Sequence, residues 1–190
     1  MSVQLSVFIA RSLDGYIAAT DGSLDWLDEA AADGEDYGWD SFIESVDALA
    51  MGRGTYDHIA DIDPLPFDDK PIFVFTHRPP EPRPGVTFWS VSPMAAAVHW
   101  EEMGLGRVYV DGGVLISQFL EEGYIDDMLI THVPRLLGDG LPLFVPIGRS
   151  TNLRLESVQP FPSGMVNLLY RRGEGPVDEA SGRQLGGHRE

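Results

Sequence analysis

Two pairs of glycines stand where a predicted strand gives way to a predicted helix. In the first, Asp111-Gly112-Gly113 follows the predicted strand 107–110 and opens a helix that runs to about residue 122. Glycines leave the backbone N–H groups of a helix start uncovered, and the helix dipole adds partial positive charge, so a phosphate can bind there. A tight turn with positive φ would need the same glycines. The pair therefore indicates either an anion site or a turn, and it lacks the G-x-G-x-x-G spacing of a separate dinucleotide-binding unit.

The second pair, Gly52 and Gly54, flanks Arg53 after a predicted strand at 47–51. Arg53 stands in an acidic half of the chain, since residues 1–70 hold sixteen acids and three bases. Because its neighbours are glycines, we expect no acid one helical turn away to hold the guanidinium, which would leave it for a phosphate monoester. A surface arginine after a helix-capping glycine is the alternative.

Two further strands end in loops that could hold a ligand. Thr76-His77-Arg78 follows the apolar run PIFVF and places a hydroxyl, an imidazole and a guanidinium in succession. After the first strand, small Ala10 and an Asp14-Gly15 turn would let a flat ring lie against the backbone. Taken alone, the first is equally a polar loop and the second equally a turn. Ligands of open α/β sheets bind beyond the carboxyl ends of the strands, so loops after parallel neighbours would together hold a molecule with two separate phosphate groups, such as NADPH.

The elements that must position these loops alternate between strands and short helices. Apolar runs predict strands at 3–10, 47–51, 71–76, 86–91, 107–110 and 127–133, with a final antiparallel pair at 153–158 and 165–170. Apolar residues at helical spacing predict a helix near 39–46, and Thr55 is expected to cap a helix over 55–60. Ser92 and Pro93 begin a helix over 92–103, and residues 134–150 are expected to form a long loop. We expect an α/β fold whose sheet is mostly parallel, with helices on both faces and antiparallel strands at its end.

The composition is that of one globular domain, with 43% apolar and 23% charged residues in 190. We expect a domain over 1–172 and a disordered tail over 173–190. The net charge of −17 argues against nucleic acid or an anionic membrane as a partner. The absence of cysteine excludes disulfides and thiolate sites, and the histidines lack ligand spacing, so no metal site is expected. No signal peptide or membrane span is predicted, and we expect a cytoplasmic protein.

Five segments occur in one order that resembles the dihydrofolate reductase-like family. They are SLDGYIA (12–18), MGRGTY (51–56), FVFTHR (73–78), VYVDGG (108–113) and IDDMLITHVPRLLGDGLPLF (125–144). The resemblance covers about residues 3–170. This part of the chain is similar to the reductase domain of the bifunctional riboflavin-biosynthesis deaminase-reductase. It implies the corresponding fold and binding of NADPH.

The resemblance also implies a role for each loop. The residues expected near the adenosine phosphates are Gly52, Arg53 and Thr55. Those expected on the 2′-phosphate are Thr76 and Arg78, together with Arg53 and with His77 nearby. Those expected on the pyrophosphate are Gly112, Gly113, Val114 and Leu115. Those expected around the nicotinamide are Ala10, Leu13, Asp14, Gly15 and Tyr16. A side chain at Gly113 is expected to fill the space that the pyrophosphate needs.

Folate reductases place one carboxylate on the helix after the first loop, where it holds or protonates the substrate. The acids of that segment here are Asp25, Asp28, Glu29, Asp33, Glu35, Asp36, Asp40 and Glu44. Spacing to Gly52 favours Asp36 or Asp40. The function expected is an NADPH-dependent reductase that transfers hydride to a small pterin- or pyrimidine-like substrate. The alternative is a nucleotide-binding protein of the same fold without this chemistry, and the resemblance and the exposed edge of the last strands predict a homodimer.

Overall fold

The computed structural model describes residues 2–67 and 70–173. Its strands are β1 (Gln4–Ser12), β2 (Tyr16–Ala18), β3 (Ala48–Gly52), β4 (Ile72–Phe75), β5 (Val86–Trp89), β6 (Arg107–Asp111), β7 (Asp127–Val133), β8 (Leu141–Pro142), β9 (Leu153–Pro160) and β10 (Val166–Arg172). Its helices are α1 (Asp25–Asp28), α2 (Trp39–Glu44), α3 (Arg53–Asp57), α4 (Pro93–Glu102) and α5 (Gly113–Glu121). Apart from Gly173, the expected tail lies outside the described residues.

The main sheet has eight strands in the order β5-β4-β3-β6-β1-β7-β10-β9. The first six are parallel, whereas β10 runs antiparallel to both β7 and β9. The expectation of a mostly parallel sheet with antiparallel strands at its end is confirmed. Because all six parallel strands run the same way, the loops that follow β1, β3, β4 and β6 emerge at one edge.

Helices cover both faces of the parallel part, so its strands alternate between two cores. On β3, Ala48 and Ala50 pack in the core that includes α4 and α5, whereas Leu49 and Met51 pack in the core that includes α2 and α3. Trp100 of α4 is fully buried and stacks on Phe119. Burial on both faces explains why these strands are nearly continuous apolar runs in the sequence.

The helix starts agree with the sequence at one place and differ at another. Ser92 caps α4 as expected, because its Oγ accepts from the backbone N–H of Ala95 at 3.2 Å. Thr55 does not cap a helix: α3 already begins at Arg53, with Gly52 as its N-cap. Extended backbone at Gly52 (ψ 162°) lets the helix start two residues earlier than expected.

A small second sheet joins two loops at the same edge. Tyr16 and Ala18 of β2 pair with Pro142 and Leu141 of β8, in a segment expected to be loop throughout. A strand of two residues has no periodicity of its own and exists only through its partner. Its pairing fixes the segment 134–150 against the loop that follows β1.

Strand β9 is an edge strand of the main sheet, with β10 as its one neighbouring strand in the described residues. Every residue of β9 is exposed, including the apolar side chains of Leu153, Leu155 and Val158.

Within the described part of the chain, no helix is long and apolar enough to cross a membrane.

Candidate active site

A cavity of about 1230 Å³ opens at the carboxyl edge of the parallel strands. The loops after β3, β4, β5 and β6 all reach it, together with side chains of β1 and β2, which is the arrangement that parallel neighbours impose. The residues of the expected cofactor site that line it are Ala10, Gly52, Arg53, Thr55, Thr76, His77, Gly112, Gly113, Val114 and Leu115. The structure thus brings together residues that lie about 100 positions apart in the chain.

Five expected cofactor residues do not line the cavity, and four of these form the loop after β1: Leu13, Asp14, Gly15 and Tyr16. Asp14 accepts a hydrogen bond from the Ser12 hydroxyl at 2.6 Å and others from the backbone N–H groups of Leu137 and Gly138. The bond from Ser12, followed by those from the backbone, lowers the pKa of Asp14. Its carboxylate therefore fastens the loop after β1 to the segment that contains β8.

The two glycines that begin α5 have different reasons to be glycine. Gly112 has φ +92°, and a Cβ there would lie 2.6 Å from Oγ1 of Thr55 at the cavity wall. Gly113 has no positive φ, and its Cβ would collide with the backbone oxygens of Pro142 and Leu143. The expected role of Gly113 is therefore corrected, since a side chain there would first displace β8 and the residue after it. Gly112, at the wall shared with Thr55, is the position where a side chain narrows the cavity.

Arg53 is held by its neighbours, contrary to the expectation from its flanking glycines. Its Nε donates to Asp57 Oδ1 at 2.7 Å, an i,i+4 ion pair that exists because α3 starts at Arg53. Its Nη1 donates to the backbone oxygen of Arg78 at 2.9 Å. These bonds fix the guanidinium between the loops after β3 and β4, with 39% of the side chain still exposed.

The loop after β4 is ordered by short local bonds. Oγ1 of Thr76 accepts from the backbone N–H of Arg78 at 3.1 Å, and Nδ1 of His77 lies 2.6 Å from the Ser90 hydroxyl. Arg78 is exposed and is the fifth expected cofactor residue outside the cavity lining. Ser90 lines the cavity as part of the loop after β5, which the sequence did not single out.

Asp111 is the acid whose chemistry the sequence did not reveal. It ends β6 on the cavity wall, where burial raises the pKa of its carboxyl group to about 6, against the lowering effect of the Gly112 N–H that it accepts at 2.8 Å. A carboxyl group that exchanges its proton near neutral pH can act as a general acid. The signal in the sequence was an acid at the carboxyl end of a parallel strand, directly before a glycine pair.

Asp36 and Asp40, the acids favoured by spacing, are both exposed and do not line the cavity. Asp36 accepts from the backbone N–H groups of Gly38 and Asp40, and these bonds lower the pKa of Asp36. Such a carboxylate keeps its charge at neutral pH and shapes its own loop. No group of three or more histidine or acidic side chains in the described ranges could hold a metal ion.

One end of the cavity is walled by aromatic side chains. Phe8 of β1 meets Trp39 of α2 edge-on, with ring centroids 5.3 Å apart, and Trp39 meets Tyr109 in the same way at 5.9 Å. The Tyr109 hydroxyl donates to the backbone oxygen of Phe8 at 2.8 Å, which joins β6 to β1 at this point. Leu24 and Leu27, at the start of α1 and within it, complete the apolar lining. A flat ring is the shape that such a wall holds.

Comparison with solved structures shows the fold. Dihydrofolate reductase from Enterococcus faecalis, solved with NADP(H) and RAB-propyl, is 16% identical and superposes with a TM-score of 0.62, over 92% of this chain and 100% of that one. The expected dihydrofolate reductase-like fold is confirmed.

Closer relatives define the family. The "Putative riboflavin biosynthesis protein" of Shewanella sp. PV-4 is 36% identical, with a TM-score of 0.83 over 91% of this chain and 99% of that one. The uncharacterized protein YwjB of Bacillus subtilis (strain 168) is 38% identical over 169 residues, which cover 87% of this chain and 96% of that protein. The model of the RibD C-terminal domain matches residues 57–167. The chain belongs to the RibD C-terminal domain family.

Proposed function

We propose that this protein is an NADPH-dependent reductase of a small pterin- or pyrimidine-like molecule. The observation that carries the proposal is the cavity itself, where residues of β1 and the loops after four other parallel strands meet the start of α5 beside an acid of raised pKa. Membership of the RibD C-terminal domain family supports a reductase-type activity. The Enterococcus faecalis enzyme of the same fold was solved with NADP(H), which supports this cofactor.

The residues around Gly112 fit a dinucleotide phosphate. No side chain of the described residues caps the start of α5, so its first backbone N–H groups can donate to an anion. A Cβ at Gly112 would take up space beside Thr55 that the ligand needs. Val114 is 61% exposed on the cavity lining whereas Leu115 is buried, so the side chain of Val114 and the backbone at the start of α5 would both meet the ligand.

Other residues at the cavity would bind the rest of the cofactor, transfer a proton or orient the acceptor ring. Arg53, with the loop Thr76 to Arg78, would bind the 2′-phosphate, and Ala10 of β1 would lie beside the nicotinamide, before the loop held by Asp14. When bound, NADPH supplies the hydride. Asp111 would supply the proton, while Phe8 and Trp39 orient the acceptor ring and keep water from it.

Cofactor preference tests this assignment. One charge-assisted hydrogen bond contributes about 1.5–3 kcal/mol, so NADPH should bind about ten- to a hundredfold more tightly than NADH in a calorimetric titration. Arg53→Ala should remove most of this preference. Arg154→Ala serves as the control, since Arg154 pairs with Glu156 on the exposed strand β9. Equal affinities for NADPH and NADH in the wild type would contradict the 2′-phosphate assignment.

We also propose that the protein pairs with a second copy along β9. This edge strand exposes Leu155 and Val158 at 48% and 55%, and an open edge of this kind recruits another strand. Light scattering should give about twice the chain mass of 20.9 kDa, and Val158→Lys should lower it. A mass of one chain over a wide range of concentrations would refute the pairing.

A further inference from the structure

We infer that the substrate of this reductase is a flat ring that carries no phosphate or other anionic group at its bound end. The inference rests on the proposed function and narrows its substrate class. Its starting point is the wall formed by Phe8, Trp39 and Tyr109, in a cavity that Leu27 also lines from the cluster that includes Ala10. These side chains stabilise a ring by burial and edge-to-face contact, and none of them can neutralise an anion.

The cationic side chains of the cavity are also distributed unevenly between its two ends. Among the described residues that line the cavity, Arg53 is the one arginine or lysine. It lies at the end of β3 and bonds toward the loop after β4, whereas Phe8 lies on β1, with β6 between β3 and β1. Two strand spacings separate the two sites by about 10 Å. The guanidinium is also shared with Asp57, so little of its charge acts at the aromatic end.

The surroundings of the aromatic end add negative charge. Asp111 is on the cavity wall two residues after Tyr109 on β6, and the exposed Asp25 and Asp28 are the acids of α1, the helix from which Leu27 lines the cavity. A carboxyl group such as Asp111 can donate to a ring oxygen when protonated or accept from a ring N–H when ionised. An uncharged heterocycle offers those groups, whereas a phosphate would meet acids without a cation to balance them.

His58 is the polar group that could oppose this reasoning. It follows α3, is exposed and lines the cavity, and its ring lies beside the loop that contains Gly22. An imidazole at the mouth can bond to a ring nitrogen or oxygen, and its protonated form would attract a phosphate. The experiment therefore includes a variant at this position.

Riboflavin and flavin mononucleotide form a suitable probe pair, because they share one ring system and differ by a phosphate. Each is titrated with the full-length protein, with and without NADP⁺, and binding is followed by flavin fluorescence. We expect riboflavin to bind about tenfold more tightly than flavin mononucleotide, the order of effect for an uncompensated charge at a half-buried site. Equal or tighter binding of the phosphorylated flavin, or binding of neither flavin, would overturn the inference.

Variants at Leu27 test the cause. Leu27→Lys places an ammonium group at the apolar end, and its long aliphatic stem can follow the path of the leucine. It should bring the two affinities to within about threefold of each other, whereas Leu27→Met should keep the wild-type preference. An unchanged preference for riboflavin in Leu27→Lys would contradict the argument from charge. The argument would also fail if the wild type bound flavin mononucleotide more tightly than riboflavin and His58→Asn removed that preference.

Separate titration with NADPH distinguishes this inference from the proposed function. If NADPH does not bind but riboflavin is preferred over its phosphate, the reductase proposal fails and the preference of the aromatic end for uncharged rings stands. If NADPH binds with the expected preference over NADH and the phosphorylated flavin binds as well as riboflavin, the reverse holds.

Discussion

The parallel sheet has an aspartate at each end of its strands, Asp127 buried and Asp111 partly buried, and the two differ in their partners. Asp127, at the start of β7, is 2% exposed and accepts from Arg107 Nη2 at 3.2 Å and from the Gln4 side chain. The guanidinium of Arg107 is satisfied in turn, since it also donates to the hydroxyls of Ser6 and Ser45 at 2.8 Å and 2.7 Å. Charge at this end is matched by a partner for every group involved.

Asp111, at the other end of β6, has no such partner. No arginine, lysine or histidine within the described ranges forms an ion pair with it, and burial raises its pKa to about 6. The same residue type is therefore a member of an ion pair at the amino end and an exchangeable proton at the carboxyl end. The comparison shows that the amino end is built to stabilise the fold, whereas the carboxyl end leaves its groups available to a ligand.

Removal of the ion pair between Arg107 and Asp127 should have the largest effect, a loss of stability. Arg107→Met leaves Asp127 as a buried charge without its cation, held by the Gln4 side chain alone, which costs about 3–5 kcal/mol of the free energy of unfolding. Urea or thermal unfolding measures this loss. Arg154→Met removes an exposed pair on β9 and should cost at most about 1 kcal/mol, so it is the matched control.

A double variant separates the charge from the packing. Arg107→Met combined with Asp127→Leu removes both charges and should restore much of the stability, because an apolar pair can replace a buried ion pair. A single Arg107→Met variant as stable as the wild type would show that the amino-end pair contributes nothing, and the contrast with Asp111 would be lost.

Removing the unpaired acid should affect catalysis and spare the fold. Asp111→Asn keeps the shape but has no acidic proton to give, so the turnover of NADPH with an accepted substrate should fall about a hundredfold. Cofactor affinity should stay close to that of the wild type, and the melting temperature at neutral pH should not fall, because asparagine has no carboxyl group to ionise. Asp36→Asn and Asp40→Asn are the comparisons, and a loss of turnover in either one with Asp111→Asn unaffected would return the proton-donor role to the segment before β3.

The pH dependence of the free energy of unfolding tests the raised pKa of Asp111 without a substrate. The folded pKa of Asp111, about 6, lies above its ordinary value of 3.8, so the folded protein holds this proton more tightly than the unfolded chain. The contribution of Asp111 is therefore fully present below about pH 4 and is lost as the pH rises through 6, by about 3 kcal/mol. Turnover that depends on this proton should decline above pH 6, and both trends should be absent in Asp111→Asn.

How far the sequence predicted this arrangement depends on how local each cause is. Strands buried on both faces are apolar runs, and the loops after β3 and β6 are marked by glycines, so the cavity edge was predictable. The ion pair of Arg53 with Asp57 was not, because it depends on α3 starting two residues before Thr55. The environment of Asp111 was also hidden, since its burial comes from packing among distant segments rather than from its neighbours in sequence.

The aromatic wall was half predictable. Trp39 was placed on a helix by its spacing from Phe42, and the helix is confirmed as α2. The contact of Trp39 with Phe8 and Tyr109 joins three segments up to 101 residues apart, as the hydrogen bond between Tyr109 and Phe8 also does. No local pattern encodes which side of a helix meets which strand, so the substrate end of the cavity needed the structure.

The smallest expected effect concerns the wall between the two loops that would hold the cofactor. Gly112→Ala places a methyl group 2.6 Å from Oγ1 of Thr55 and also forces an alanine into φ +92°, so NADPH affinity should fall about tenfold in a titration. Gly104→Ala is the matched control. Gly104 has φ +77°, and a Cβ there meets nothing within 4 Å, so it carries the backbone strain without the steric contact.

Both alanine variants should lose about 1 kcal/mol of stability, because an L residue in the left-handed region is strained in either place. Only Gly112→Ala should also lose cofactor affinity, since only its methyl group meets the cavity wall. Equal affinities in the two variants would mean that Gly112 is needed for the turn alone. A further variant, Thr55→Ala combined with Gly112→Ala, removes the hydroxyl that the added methyl group would meet. Tighter NADPH binding in this double variant than in Gly112→Ala alone would identify the crowded wall rather than the backbone as the cause.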